Sequence, residues 1–340
     1  MNRQIFCTVN QLIDDLDLRG FSEANLLDRI KEASDLIQRH PRGGDFIPVT
    51  ATKYFGAPVD LTSKCLSVPP LLAVTSITND GEAVTDYHLK PFNGLWEDGP
   101  YIEIEMDEGG GFWADEDDVV ISGWWGKYEK TADLGITGSQ ATTSETTLEI
   151  DNGSLLCPGM VIKIEDEQEY VTAGNGSPGG AAATAATSKV NGAIDELDTS
   201  ITVDNGAEFY AGEVLQIGVE DLKIIKKNTH VLFVERGWNG TVPADHADDS
   251  AIGVYRTFTV ERGVNGTTAA AHSSKAIYQM VVPATVNYLC QKLAGLLRAK
   301  VLTSFTGVSG NNEAGQSRYG YEFDQRSIDD VLRPFTIWSD

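Results

Sequence analysis

The chain has no run of eighteen or more apolar residues, so no segment of the sequence reads as a membrane-spanning helix. Its N-terminus, Met1-Asn2-Arg3-Gln4-Ile5-Phe6-Cys7, lacks the apolar core of a signal peptide, and nothing directs it to a secretory route. Cysteine is scarce. The four present (Cys7, Cys65, Cys157 and Cys290) lie far apart without a Cys-x-x-Cys, as expected of small buried thiols in a reducing compartment. Positive charge is also scarce, with 26 basic against 50 acidic residues and a net charge of −24. Such a surface repels phosphate, which excludes DNA binding through a basic groove but permits an acidic lining that DNA slides past.

Catalytic signatures are missing as well. No Gly-x-Ser-x-Gly, His-Glu-x-x-His or phosphate-binding glycine loop occurs, and the five histidines form no recognisable order with serine or cysteine. The acidic stretch from Glu103 to Asp118 lacks calcium-loop spacing and reads as a solvated loop. The sequence therefore indicates a non-enzymatic protein with no cofactor and no metal. Paired carboxylates of the glycosidase type stay open, because their pairing is spatial.

The first segment reads as helix. Thr8 and Gln11 form a capping box ahead of Leu12, Ile13 and Leu16; Gly20 breaks the helix and Ser22 can cap the next. Leu26, Leu27, Ile30, Ala33, Leu36 and Ile37 then recur at helical spacing until Pro41 and Gly43-Gly44. From Phe46 to Tyr128 the pattern changes to short strands, with Asn79-Asp80-Gly81 as a tight turn. Residues 130–147, rich in Thr, Ser and Gly, read as an entry linker, and Gly174 to Thr187 as a mobile low-complexity stretch. Helix returns at Pro283 with a stripe through Val286, Leu289, Cys290, Leu293, Leu296, Leu297 and Val301.

Two strings nearly repeat. Val234-Glu235-Arg236-Gly237-Trp238-Asn239-Gly240-Thr241 is followed five residues on by His246, and Val260-Glu261-Arg262-Gly263-Val264-Asn265-Gly266-Thr267 by His272 at the same distance. Upstream, Leu148–Gly153 resembles Ile201–Gly206, each leading into a glycine and an alternating strand. The order is front, front, back, back, which implies one β-unit inserted into the other, with the outer unit's ends near residues 146 and 281 close together. Asn-Gly supplies positive φ for a turn that the Thr hydroxyl can hold, and Arg beside Glu fits a paired surface contact. Metal binding by His246 and His272 competes weakly, since only Asp245 lies at ligand spacing. Asn239-Gly240-Thr241 and Asn265-Gly266-Thr267 also fit the glycosylation pattern, an idle match without a signal peptide.

The flanking segments carry a resemblance. The helical pair through Leu26–Ile37 precedes Phe46-Ile47-Pro48-Val49-Thr50-Ala51-Thr52-Lys53-Tyr54-Phe55. Then follow Leu71–Gly81, Tyr87–Asn93, Val119-Val120-Ile121-Ser122-Gly123-Trp124-Trp125-Gly126 and a long C-terminal helix. This order resembles the head–tail connector (adaptor) proteins of tailed bacteriophages over about 1–130 and 283–340, and the repeat looks like small β-modules of phage virion proteins. Family adaptors are far shorter, so the insertion is a departure.

The resemblance implies an α+β fold: a small helical bundle plus an antiparallel β core, with two nested all-β insertion domains. The adaptor core is 1–145 and 282–340, the outer inserted domain 146–176 and 257–281, a flexible linker 177–197, and the inner domain 198–256. It implies a homo-oligomeric ring, commonly dodecameric, in the virion neck, assembled in the host cytoplasm and passing DNA through an acidic lumen without specific binding. Partners would be the portal protein and a tail terminator or tail-completion protein, with no membrane. Leu26, Ile30, Ile37, Leu289, Leu293 and Leu297 would pack neighbouring subunits. Tyr319, Tyr321, Phe323, Phe335, Ile337 and Trp338 would anchor the tail on the portal, or else pack on their own domain. Another virion β-protein, such as a tail-fibre or baseplate component, is the alternative. A glycan-binding or carbohydrate-active protein using Trp96, Trp113, Trp124 and Trp125 is a further one.

Overall fold

A computed structural model describes residues 2–16, 23–56, 64–91, 99–107, 119–176, 180–302, 308–309, 317–318 and 325–335. The fold is α+β and dominated by antiparallel strands. Helix α1 (Val9–Leu16) starts at the expected capping box: Thr8 N–H donates to Gln11 Oε1 at 3.0 Å, and Gln11 N–H to Thr8 Oγ1 at 3.3 Å. Helix α2 (Glu23–Arg39) ends before Pro41, as its sequence predicts. The expected Gly20 break and Ser22 cap lie outside the described residues.

Strands β1 (Val49–Phe55), β2 (Cys65–Asn79), β3 (Glu82–Ala83), β4 (Tyr87–Pro91), β5 (Tyr101–Met106) and β6 (Val119–Trp125) form one sheet in the order β1-β6-β2-β5-β4, with β3 paired to β2. Asp80 and Gly81, at φ 51° and 78°, make the predicted β2–β3 turn. The β2–β5 register slips between Ser67 and Leu71, where Pro69 and Pro70 have no N–H to offer the ladder.

Four strands then open a barrel: β7 (Thr131–Gln140), β8 (Thr147–Ile150), β9 (Val161–Ile164) and β10 (Glu167–Ala173). The chain leaves it after Gly176 to build β11 (Thr184–Lys189), β12 (Ser200–Thr202), β13 (Val214–Ile217), β14 (Glu220–Asn228), β15 (Val231–Glu235) and β16 (Ala251–Val254). It returns as β17 (Thr257–Glu261) and β18 (His272–Met280). The outer barrel closes in the order β10-β17-β8-β7-β18-β9. The inner sheet runs β11-β16-β13-β14-β15-β12, and a Val190–Val203 bridge joins its two edges. Matching strands by their order within each unit gives the same circuit twice. The two units are therefore copies in topology as well as in sequence.

The expected boundaries shift. Residues 130–147, read as a linker, supply β7, and the outer unit's ends meet at Val281 N–H and the Lys130 carbonyl (2.9 Å) rather than at residue 146. Within the stretch read as a mobile linker (177–197), β11 pairs with β16 and Ile194 bridges His246. Small residues hid both strands. A side chain at Gly138 in β7 would sit 2.7 Å from Leu148 and 2.9 Å from Ile277, and one at Gly253 in β16 would sit 2.8 Å from Ala183 just before β11. At Gly138 and Gly253 close packing leaves no room for the apolar side chain that would extend the alternation.

Helix α3 (Ala284–Leu302) follows Pro283, and beyond the two-stranded ribbon β19 (Val308–Ser309) with β20 (Ser317–Arg318) lies α4 (Gln325–Leu332). The α2 and α3 stripes bury each other. Leu26, Ile30, Ile37, Leu289 and Leu293 lie in one core with Phe6, Phe46 and the barrel residues Val161, Val214, Trp238 and Val264, and Leu297 packs against it. Each large aliphatic contributes roughly 1.5–3 kcal/mol on full burial. This corrects the expectation that these stripes wait for neighbouring subunits: their partner is the other helix of the same chain.

Candidate functional site: two equivalent buried charge networks

The repeated string does its work at the corner where β15 leads to β16 and β17 leads to β18. Gly237 and Gly263 take φ of 63° and 58°, then Asn239-Gly240 and Asn265-Gly266 continue at φ 57°, 77°, 55° and 77°. The Thr hydroxyl closes each turn, donating to the Trp238 carbonyl at 2.8 Å and the Val264 carbonyl at 2.9 Å. These positive angles and hydroxyl bonds are as the sequence predicts.

The arginines are not surface partners of the adjacent glutamates. Each turns inward onto a glutamate of a distant strand. Glu220 on β14 is fully buried and accepts from Arg236 Nε (2.7 Å) and Nη2 (2.8 Å), Gly237 N–H and Ala244 N–H (both 3.1 Å), and pairs with His246 Nε2 at 2.8 Å. Glu167 on β10 repeats this with Arg262 (2.8 and 2.7 Å), Gly263 and Ala270 N–H (both 2.9 Å) and His272 Nε2 (3.0 Å). The spare guanidinium N–H groups reach carbonyls: Asp195, Asp198 and Ala244 in the inner copy; Thr142, Glu145 and Ala270 in the outer. Burial alone would raise the carboxyl of Glu220, but the bonds from Arg236, His246 and the two amides win and hold it at about 2. Glu167 is lowered by the same balance.

The outer copy adds a second buried acid. Glu169 stands where the inner copy has Leu222, and burial, aided by the charge of Glu167 and opposed by Arg262, pushes it up to about 7. Its Oε1 lies 2.9 Å from Arg262 Nε, whose N–H is directed at Glu167, so that contact is ionic without a hydrogen bond. Glu167, Glu169 and His272 offer a metal-type donor set with ligand atoms within 4.8 Å of one another. A cation already sits among them, because Arg262 occupies the carboxylates at 2.7–2.9 Å. The cluster is an ion-pair network in form. The glutamates escaped the sequence reading because Glu167 lies 95 residues, and Glu220 16 residues, from the arginine of its string; the signal was Ile164-x-x-Glu167 beside Ile217-x-x-Glu220, a short extension of the upstream repeat.

Each turn also fastens its unit to the body that carries it. Asn265 Oδ1 accepts from Arg3 N–H at 2.6 Å, its amide donates to Gln168, and Gln168 donates to the Pro48 carbonyl. Asn239 donates to the Asn175 carbonyl, tying the inner barrel to the outer. Between the barrels, Glu213 accepts from Arg256 (2.7 Å) and from Gly153 N–H (3.1 Å). A methyl at Gly266 would collide with the Thr50 carbonyl oxygen of β1, whereas one at Gly240 meets nothing within 4 Å. Gly240→Ala should therefore cost only its backbone strain, about 1 kcal/mol, and Gly266→Ala about 2 kcal/mol more. Chemical denaturation of the two variants measures the difference; equal losses would show that the turn does not dock on β1.

No protein family, curated protein or solved structure matches the chain. Among the expected portal anchors, Phe335 packs edge-on against Phe46 (centroids 5.2 Å apart), and its carbonyl accepts from Lys127. Tyr319, Tyr321, Phe323, Ile337 and Trp338 lie outside the described residues, as do Trp96, Trp113 and residues 108–118 of the acidic stretch, whose first residues, Glu103–Met106, belong to strand β5 and not to a loop. Trp124 carries Lys163 over its ring at 4.5 Å, and Trp125 is buried with its indole N–H on the Ala51 carbonyl. The two tryptophans are thus engaged within the chain.

Proposed function

We propose that the chain is a structural subunit of a tailed-phage neck, a head–tail connector that assembles into a ring beneath the portal and lets DNA pass. The observation that carries this reading is where the chain spends its distinctive polar residues. Both repeats are consumed in fastening nested barrels to one another and to a helix-and-sheet body, which suits a part that bears load. The net charge of −24 is compatible with a lumen that does not hold DNA. The flanking order of helices and strands supplies the family likeness.

With the α2–α3 stripes buried internally, ring contacts fall to the outer helix faces, where Leu36 is 47% and Tyr288 55% exposed. Light scattering and electron microscopy of the full chain, alone and with portal protein, should show rings. Leu36→Glu with Tyr288→Glu should weaken assembly about tenfold or more without changing the melting temperature. A monomer at every concentration, with and without portal, would overturn the reading.

A further inference from the structure

We propose that Cys7 and Cys290 form a redox pair, which a hydroperoxide converts into an intrachain disulfide fastening the N-terminal segment to α3. The two sulfurs lie 3.3 Å apart, although 283 residues separate them in sequence. Both side chains are buried, in the core where the N-terminal segment, α2 and α3 meet. Closing to a disulfide requires the sulfurs to approach by roughly 1.2 Å, a movement that side-chain torsions supply.

The surroundings favour reaction over inert packing. Ser34 Oγ sits 3.3 Å from Cys290 Sγ, and the Cys7 thiol points at the same sulfur. Burial opposes charge on Cys290, but hydrogen bonds from Cys7, Ser34 and the Phe6 and Cys7 amides prevail and lower it. Cys7 is raised by its bond to Cys290 and then by burial. A cavity of about 240 Å³ between the N-terminal segment, the outer barrel and α3 is lined by Cys7, Gln11 and Asn287, so a small oxidant can approach Cys7. Cys157 differs: it is fully buried, pushed up to about 11 by burial, and does not line this cavity.

The steps balance. The Cys7 sulfur attacks one peroxide oxygen as the O–O bond breaks, and the Cys7 proton leaves with the departing hydroxide as water, giving Cys7 sulfenic acid. The Cys290 sulfur then displaces hydroxide from the Cys7 sulfur and forms the S–S bond, and the Cys290 proton leaves with that hydroxide as a second water. Two thiol sulfurs are oxidised and the O–O bond is reduced.

The test treats the reduced full chain with hydrogen peroxide, then denatures it and alkylates it with N-ethylmaleimide. Label uptake should fall from the four cysteines present to about two. A non-reducing digest should yield one cross-linked peptide pair joining Cys7 to Cys290. Oxidised protein should melt about 5 °C higher, because the bond closes a very long loop, and dithiothreitol should reverse this. The melting comparison uses the unsubstituted chain, so it does not depend on a variant folding; Cys290→Ala should abolish the cross-link. Oxidation confined to Cys65, sulfinic acid at Cys7, or both thiols still alkylated after treatment would each overturn the proposal.

Discussion

Arg262→Ala is expected to unfold the outer barrel, and Arg236→Ala to destabilise the inner one by about 3–5 kcal/mol. The reasoning concerns what is left behind. Without Arg236, the Glu220 carboxylate stays sealed from water with two amides and a histidine, and the Asp195 and Asp198 carbonyls lose their donor. Arg262 serves the same groups in its own barrel and compensates Glu169 as well, so its loss strands two acids. Hydrogen exchange, followed peptide by peptide, separates the barrels: fast exchange should be confined to β11–β16 for Arg236→Ala and should spread through both barrels for Arg262→Ala. Replacing Glu220 and Arg236 together by Leu and Met should recover much of the loss, since a buried pair is often dispensable once neither charge remains. Equal, small effects at both arginines would refute the network as the barrels' fastening.

Stability should be greatest near pH 5 and fall by several kcal/mol on the way to pH 8. Glu23 and Glu169 cause the fall. Glu23 opens α2, where the helix dipole favours a negative charge, yet it is 2% exposed, its Oε2 has no hydrogen-bond partner among the described residues, and burial pushes it up to about 8. Glu169 is pushed up to about 7. A carboxyl whose folded value is raised binds more protons in the folded state. Its penalty is absent below the unfolded value near 4.5, grows as the pH rises, and is complete above the folded value. The complete penalties amount to about 5 kcal/mol for Glu23 and about 3 kcal/mol for Glu169. Glu167 and Glu220 act in the opposite sense. Their folded values are lowered, so the stability they contribute is present above about 4.5 and is lost as the pH falls toward 2. Urea unfolding at pH 5, 6.5 and 8 should show the decline in the unsubstituted chain. Glu169→Leu, which copies Leu222 of the inner barrel, and Glu23→Gln should each flatten it. A decline that survives both substitutions would place its origin elsewhere.

The parts of this design that were legible in the sequence are the local ones. The Thr8–Gln11 cap, the Asn79-Asp80-Gly81 turn, the positive angles of the Asn-Gly pairs and the hydroxyl that closes them depend on neighbours a few residues away, and residue type alone announces them. The front-front-back-back order likewise revealed which strands belong together. What escaped notice depends on contacts across the chain. Strands β7 and β11 are rich in Thr, Ser, Gly and Ala, residue types that also mark linkers, and only their ladder partners reveal them as strands. Glu167 and Glu220 look like ordinary hairpin acids until the barrel closes and brings an arginine and a histidine over them. The α2 and α3 stripes looked like oligomer surfaces because nothing in either helix says that its partner lies more than two hundred and fifty residues away in the same chain.

The inner barrel hangs from its carrier by two covalent crossings, one after Gly176 and one at Tyr255–Arg256, flanked by the Glu213–Arg256–Gly153 contacts. A bead on a single tether can swivel; a body held at two points beside a bolted joint cannot. Torque applied to the inner barrel therefore passes into β10 and β17, neighbouring strands whose ladder is loaded along its length. The outer barrel hands it on through the Asn265 turn to Arg3 and thence to the helices. The nested insertion makes a lever with a stiff elbow.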